Sequence, residues 1–230
     1  MKTSMVVPVA ILVGGVLVAV AVYATTRQRV QNTASGSGNP SAVLPITVSD
    51  HILGNPDAPV KIIEYADFEC QYCAQFQQTL HRIINDYGPA GQVAWVFREF
   101  PLIEIHPSAM KDAEAAECVA QTAGNAAFWK FADILFAHQP VDSAHIGQYA
   151  QEAGADPSAV ASCIVSGSID ARITADRANA FAVGAGGAPY ALIVVNGAPP
   201  LVVNGAYSYN YVKQQIDAAL TIASSTQTQP

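Results

Sequence analysis

Residues 60–73 read VKIIEYADFECQYC, and the architecture of the chain turns on how that stretch is divided. Val60–Ala66 is an extended, apolar-leaning run. Asp67-Phe68-Glu69 interrupts it, and Cys70-Gln71-Tyr72-Cys73 leads directly into AQFQQTLHRII, whose apolar positions share one helical face. A strand that hands over to a helix opening on C-x-x-C puts the first cysteine at a helix N-terminus. Unpaired N–H groups and the helix dipole favour a thiolate there, and such settings lower a cysteine pKa from about 8.5 to between roughly 3.5 and 7.5. Cys73, nearly one turn on, is placed to resolve a mixed disulfide formed at Cys70. The pattern reads as a redox site, with Gln71 and Tyr72 expected to tune it.

Two other readings of the pair compete. A zinc knuckle needs a second pair of ligands at short spacing, whereas Cys118 and Cys163 stand alone and the five histidines form no H-x3–5-H pair. No metal site is therefore expected, and no cofactor. A permanently oxidised structural bridge is the other alternative, but it has no need of a strand-to-helix junction.

The chain has 230 residues, 51% hydrophobic and 13% charged, with a formal net charge of −7. Residues 6–24 contain no charge, and as a helix they would span about 28 Å, close to the hydrocarbon thickness of a bilayer. An uncleaved single-pass anchor over residues 1–24 is the preferred reading. A cleaved signal ending near Val22-Tyr23-Ala24 and a buried core helix are the alternatives. Export would place the remainder in an oxidising compartment, where four cysteines make sense as disulfides. The expected location is the cell membrane, with the catalytic domain on the extracytoplasmic side. Residues 25–50 are polar, small and Gly/Ser/Pro-bearing, and read as a flexible linker. A domain over 51–222 and a disordered tail over 223–230 complete the division. Mild acidity without basic clusters argues against nucleic acid.

Periodicity and breakers order the rest. Val60–Ala66 is the first strand, Gln71–Tyr87 the first helix, stopped by Gly88-Pro89, and QVAWVFREF (92–100) the second strand. Residues 107–123, 125–137, 143–153, 157–165 and 168–183 read as helices, with Ser143 and Asp156 as N-caps and Gly154 and Gly167 as stops. Strands return at 190–195 and 201–203, separated by the Asn196-Gly197 turn, and 209–222 closes the chain as a helix. A β-α-β unit, a helical block and a β-β-α unit resemble a thioredoxin fold with an α-helical insertion between its halves, at about 106–184.

Gly186-Gly187-Ala188-Pro189 enters the third strand. A cis peptide at Ala188–Pro189 would expose the preceding backbone for pairing with an extended substrate; Pro199-Pro200 is the rival position, better suited to trans loop geometry. Glu64 lies six residues before Cys70. It is either an edge carboxylate facing solvent or a buried acid beneath the dithiol that relays a proton to Cys73. Asp67 and Glu69 are expected to face the loop, where either could influence the charge environment of the thiol without being catalytic. With Cys70 assigned to Cys73, a structural disulfide between Cys118 and Cys163 is expected, two separate thiols being the alternative.

Residues 54–73 resemble the DsbA-like thiol–disulfide oxidoreductases, particularly membrane-anchored bacterial members. So do Phe97-Arg98-Glu99-Phe100-Pro101-Leu102 with His106-Pro107, Glu117-Cys118, Phe128-Trp129, and the Gly-x-Pro strand entry followed by Val195-Asn196-Gly197. The resemblance implies a helical insertion that caps the active site, Cys70 as attacking sulfur, Cys73 as resolver, Glu64 as buried acid and Pro189 in cis. The chain departs from many relatives at Gln71, where proline is common, at Ala188, where threonine or valine precedes the cis proline, and at Tyr72, which replaces a thiolate-stabilising histidine.

A dithiol oxidase follows as the leading function. Its substrates would be reduced exported proteins, and a membrane quinone-linked partner would reoxidise it. A reductase or isomerase is the second reading. Isomerases of this superfamily are generally dimers built through an extra amino-terminal domain, for which 25–50 is too short, and this counts against that reading; a monomer is expected. A tethered, non-catalytic binding module for export clients is the third.

Overall fold

The computed structural model describes residues 38–226. The expected anchor over 1–24, residues 25–37 of the expected linker and residues 227–230 of the expected tail lie outside them. Among the described residues no helix is long and apolar enough to cross a membrane.

Five strands form one sheet in the order β1-β3-β2-β4-β5: β1 His51–Gly54, β2 Val60–Ala66, β3 Val93–Glu99, β4 Tyr190–Val195 and β5 Leu201–Asn204. β2 and β3 run parallel, joined through helix α1, Gln71–Tyr87, as a crossover requires. β1, β4 and β5 pair antiparallel to their neighbours. Helices α2 (Ala109–Ala123), α3 (Asn125–Ala137), α4 (Ile146–Ala153), α5 (Pro157–Ser166) and α6 (Asp170–Val183) lie between β3 and β4, and α7, Tyr209–Thr226, closes the chain. The expected order of elements is present, with β1 added at an edge. Its four residues are too few to show a strand period, and pairing with β3 defines it.

β2 and β3 are almost continuously buried because both faces of the sheet are covered. Strand alternation divides them. Val60, Ile62, Trp95 and Phe97 join the larger core with Phe76, Leu80 and Phe128, whereas Ile63, Tyr65 and Val96 join the smaller one with Ala180 and Val183 of α6. By the same alternation Glu64 shares the face of Val60 and Ile62, so it points into the larger core.

Local chemistry sets most helix ends. Asp156 caps α5 by accepting from Ser158 N–H (2.7 Å) and Ala159 N–H (3.3 Å), and Gly154 and Gly167 end α4 and α5 in the left-handed region. Ser143 does not cap a long helix. Asp142 instead accepts from Ala144 N–H and opens a short 3-10 turn, Ser143–His145, so that α4 begins at Ile146. At the other end of the domain, residues 223–226 continue α7 rather than starting a tail.

Residues 38–50 depart from the linker expectation. Asn39 N–H donates to Ala182 O (2.8 Å), and its side chain caps the 3-10 turn Pro40–Ala42. The Arg98 guanidinium donates to the carbonyls of Leu44 (3.1 Å) and Pro45 (3.2 Å) and pairs with Asp50 (2.9 Å). Gly38 passes so close to α6 that a Cβ there would lie 2.1 Å from the Gly184 nitrogen. Most of the anchoring groups are backbone atoms, and Arg98 stands 54 positions downstream of Leu44, a relation that composition does not encode.

Candidate active site

The dithiol sits where β2 ends and α1 begins. Cys70 keeps an extended backbone as the N-cap residue (φ −79°, ψ 114°), and its carbonyl accepts the Ala74 N–H at 3.1 Å to start the helix. Cys70 is 6% exposed and Cys73 fully buried, both as free thiols. Gln71 and Tyr72 lie outside, Tyr72 at 65% exposure.

The two sulfurs differ sharply in acidity. The Cys73 thiol, acting as hydrogen-bond partner, brings the Cys70 pKa down to about 6; burial opposes this, and the N–H groups of Cys73 and Tyr72 reinforce it. Cys73 is pushed well above the ordinary thiol value, chiefly by burial, then by the Cys70 hydrogen bond and the charges of Cys70 and Glu64. One sulfur is therefore a ready thiolate at neutral pH and its neighbour is a thiol.

Glu64 is fully buried. One carboxyl oxygen, Oε2, accepts from Trp95 Nε1 (3.0 Å) and Gln77 Nε2 (3.1 Å), while Oε1 has no hydrogen-bond partner. Burial raises its pKa to about 8 against those two hydrogen bonds, which lower it; the Cys70 charge also raises it. The side chain is thus a protonated acid at neutral pH, and the solvent-facing alternative does not hold.

Ala188–Pro189 is cis, and the Cys70 thiol donates to the Ala188 carbonyl at 3.3 Å. The chain segment entering β4 thereby meets the dithiol across 118 positions of sequence. The Pro199-Pro200 pair contributes no cis bond; the other cis proline among the described residues is Pro140. Its neighbour Gln139 donates to the carbonyls of Phe68 (2.6 Å) and Cys70 (3.1 Å), fixing the turn from the insertion side.

Asp67, expected to face the loop, is buried within it, and its charge raises the Cys70 pKa, an influence on the thiol of the kind expected. Its Oδ1 accepts from Glu69 N–H (2.8 Å), and its Oδ2 from Leu102 N–H (2.7 Å) and His106 Nδ1 (2.8 Å). Glu69 Oε2 accepts from Ser108 N–H (2.8 Å), the residue before α2. Cys118 of α2 and Cys163 of α5 are joined as a disulfide with their Cα atoms 5.7 Å apart. Among the described residues no cluster of three or more His, Cys, Asp or Glu side chains is arranged to hold a metal.

Sequence reading missed Gln77, Trp95, Gln139 and the role of His106 around the dithiol. Gln77 had a signal in hindsight: it lies four residues after Cys73, one helical turn along the same face of α1. Gln139 had none, because its tie to Cys70 spans the insertion.

A thioredoxin family profile matches residues 47–218. Among solved structures, the chain is similar to alpha-DsbA1 of Wolbachia pipientis, with a TM-score of 0.71 and 22% identity over 82% of this chain and 99% of that one. It is also similar to the thiol-disulfide exchange protein alpha-DsbA2 of the same organism, with a TM-score of 0.65 and 20% identity over 74% and 87%. Likeness at that identity shows a shared fold. A 90-residue stretch is 44% identical to part of the Na(+)/H(+) antiporter NhaA 3 of Salinispora tropica, which covers 39% of this chain and 13% of that protein. The chain thus spans only a small fraction of that antiporter's length.

Proposed function

The chain belongs to the thioredoxin family, and we propose that it is an extracytoplasmic thiol–disulfide oxidoreductase acting as a dithiol oxidase on exported proteins. The observation that carries this reading is the placement of the dithiol, with Cys70 at the N-terminus of α1, its sulfur 3.3 Å from the Ala188 carbonyl beside the cis proline, and Cys73 fully buried. The split in acidity, Cys70 lowered to about 6 and Cys73 raised well above the ordinary thiol, agrees with it.

In the oxidised enzyme a substrate thiolate attacks the Cys70 sulfur. The Cys70–Cys73 bond breaks and its electron pair leaves on Cys73. A buried thiolate with so high a proton affinity must be protonated, and Glu64, neutral below about 8, is the acid beneath it. The substrate's second thiolate then attacks the substrate sulfur of the mixed disulfide, forming the client disulfide and expelling Cys70 as a stable thiolate. A low leaving-group pKa speeds that release. Two electrons remain on the enzyme, and a membrane quinone-linked partner would remove them. Ala188 and Pro189 would present backbone to an extended client, with Gln71 and Tyr72 at its edge.

The joined Cys118–Cys163 pair supports an oxidising compartment, and the uncharged residues 6–24 support a single-pass anchor that holds the domain on the extracytoplasmic side. Equilibration with glutathione buffers tests the direction of the reaction. An oxidase should poise near about −120 mV, and a value near about −270 mV would reverse the assignment to a reductase.

A further inference from the structure

The turn that carries Cys70 is stitched to the loop after β3 by three hydrogen bonds, from Leu102 N–H and His106 Nδ1 to Asp67 and from Ser108 N–H to Glu69. Asp67 also receives the Cys70 N–H on its carbonyl at 3.1 Å, so the clasp bears directly on the reactive cysteine. The buried Asp67 carboxylate works against a Cys70 thiolate by its charge. Its ionic partner is the partly exposed His106 ring, 2.8 Å away. Neither residue between the two cysteines is basic.

We propose that His106, clasped to Asp67, is a positioning residue that supplies the Cys70 thiolate with the positive charge the C-x-x-C segment lacks. The proposal rests on the reading of Cys70–Cys73 as the redox couple. The charged groups facing the clasp are Asp67, Glu69 and Cys70 from the β2–α1 turn, Asp112 from α2 and the buried Glu99 at the end of β3, whose own pKa is raised by burial first and in part by the Asp67 charge. Asp112 is itself raised to about 7 by burial and by the Glu69 and Asp67 charges. Burial alone would lower the His106 pKa, but the Asp67 hydrogen bond and the Asp67, Cys70 and Glu69 charges outweigh it and hold the imidazole above its ordinary 6.5. The two shifts run toward one ion pair, the imidazole pKa moving up and the Cys70 thiol pKa moving down. Oxidation of the couple removes the thiolate charge, and by reciprocity His106 then holds its proton less tightly. The clasp couples electron transfer at Cys70 to a proton on a side chain from another loop.

Two measurements on the full chain test this: thiolate absorbance of the reduced protein against pH, and NMR titration of His106 in the reduced and oxidised forms. In His106→Gln the Cys70 pKa should rise by about one unit, and His106→Arg should bring it back down. In the native chain the His106 pKa should fall by a similar amount on oxidation. A Cys70 titration unchanged in His106→Gln, or a His106 pKa equal in both redox forms, would overturn the proposal. Failure to exchange with glutathione would instead sink the oxidoreductase reading, while the titration of the reduced thiols still decides the role of His106.

Discussion

Glu64→Gln should stabilise the protein by an amount that grows with pH. The folded-state pKa of Glu64 is raised from 4.5 to about 8, with burial the largest cause. In the unfolded chain the group ionises near its ordinary value, so between the two values the native state holds a proton that the unfolded state has released. Stability is then highest below about 4.5 and falls by about 1.4 kcal/mol per pH unit until about 8. Across that window the loss is on the order of 5 kcal/mol, and at pH 7 about 3 kcal/mol. Glutamine carries no titrating proton, and its carbonyl can still accept from Trp95 Nε1 and Gln77 Nε2. The stability gap between variant and native chain should therefore widen steadily from about pH 5 to pH 8. Urea unfolding at closely spaced pH values, with Cys70 and Cys73 held as a disulfide so that the thiols do not titrate, reads this directly. A gap that stayed flat to within about 0.5 kcal/mol would mean that Glu64 ionises at its ordinary pH in the folded protein. The acid role assigned to it would then fail. If the role is right, the same variant slows reduction of the Cys70–Cys73 bond by about a hundredfold at neutral pH, because no acid then meets Cys73.

Removing both Cys118 and Cys163 opens a loop with a sequence separation of 45. The chain-entropy model puts that loss at about 4 kcal/mol, or a melting point lower by about 8–16 °C; disulfide exchange at Cys70 should persist at low temperature, and a melting point shifted by less than about 2 °C would contradict the account. Arg98→Ala leaves Asp50 without its ionic partner and releases the carbonyls of Leu44 and Pro45. It should cost about 3–5 kcal/mol, and hydrogen exchange should show residues 38–50 losing protection first; unchanged protection there would mean that other contacts hold the segment.

Local patterns made the strand, helix and dithiol legible, because their causes are local. Apolar alternation in Val60–Ala66, the helical face after Cys73, the Asp156 cap and the glycine stops each act within a few residues of themselves. The position of Cys70 at a helix N-terminus follows from the same short stretch, and with it the expectation of an acidic thiol. Parity along β2 narrows Glu64 to the face it shares with Val60 and Ile62, but it does not say what packs on that face. That was decided when α1 and the insertion packed against the sheet and brought Trp95 and Gln77 to the carboxyl. Asp67 looked like a loop residue because its three donors are two backbone N–H groups and a histidine, and two of the three come from the segment after β3. Residues 38–50 looked like a tether because their composition carries no strand or helix period; what holds them comes from elsewhere in the chain, Arg98 on the sheet and Asn179 and Ala182 on α6. Ala188 was placed against Cys70 by antiparallel pairing of β4 with β2. The sequence therefore determined the reactive atoms and their secondary structure. Burial, proton affinity and the neighbours that set them arose only in the tertiary structure, because each depends on groups brought together across tens of residues.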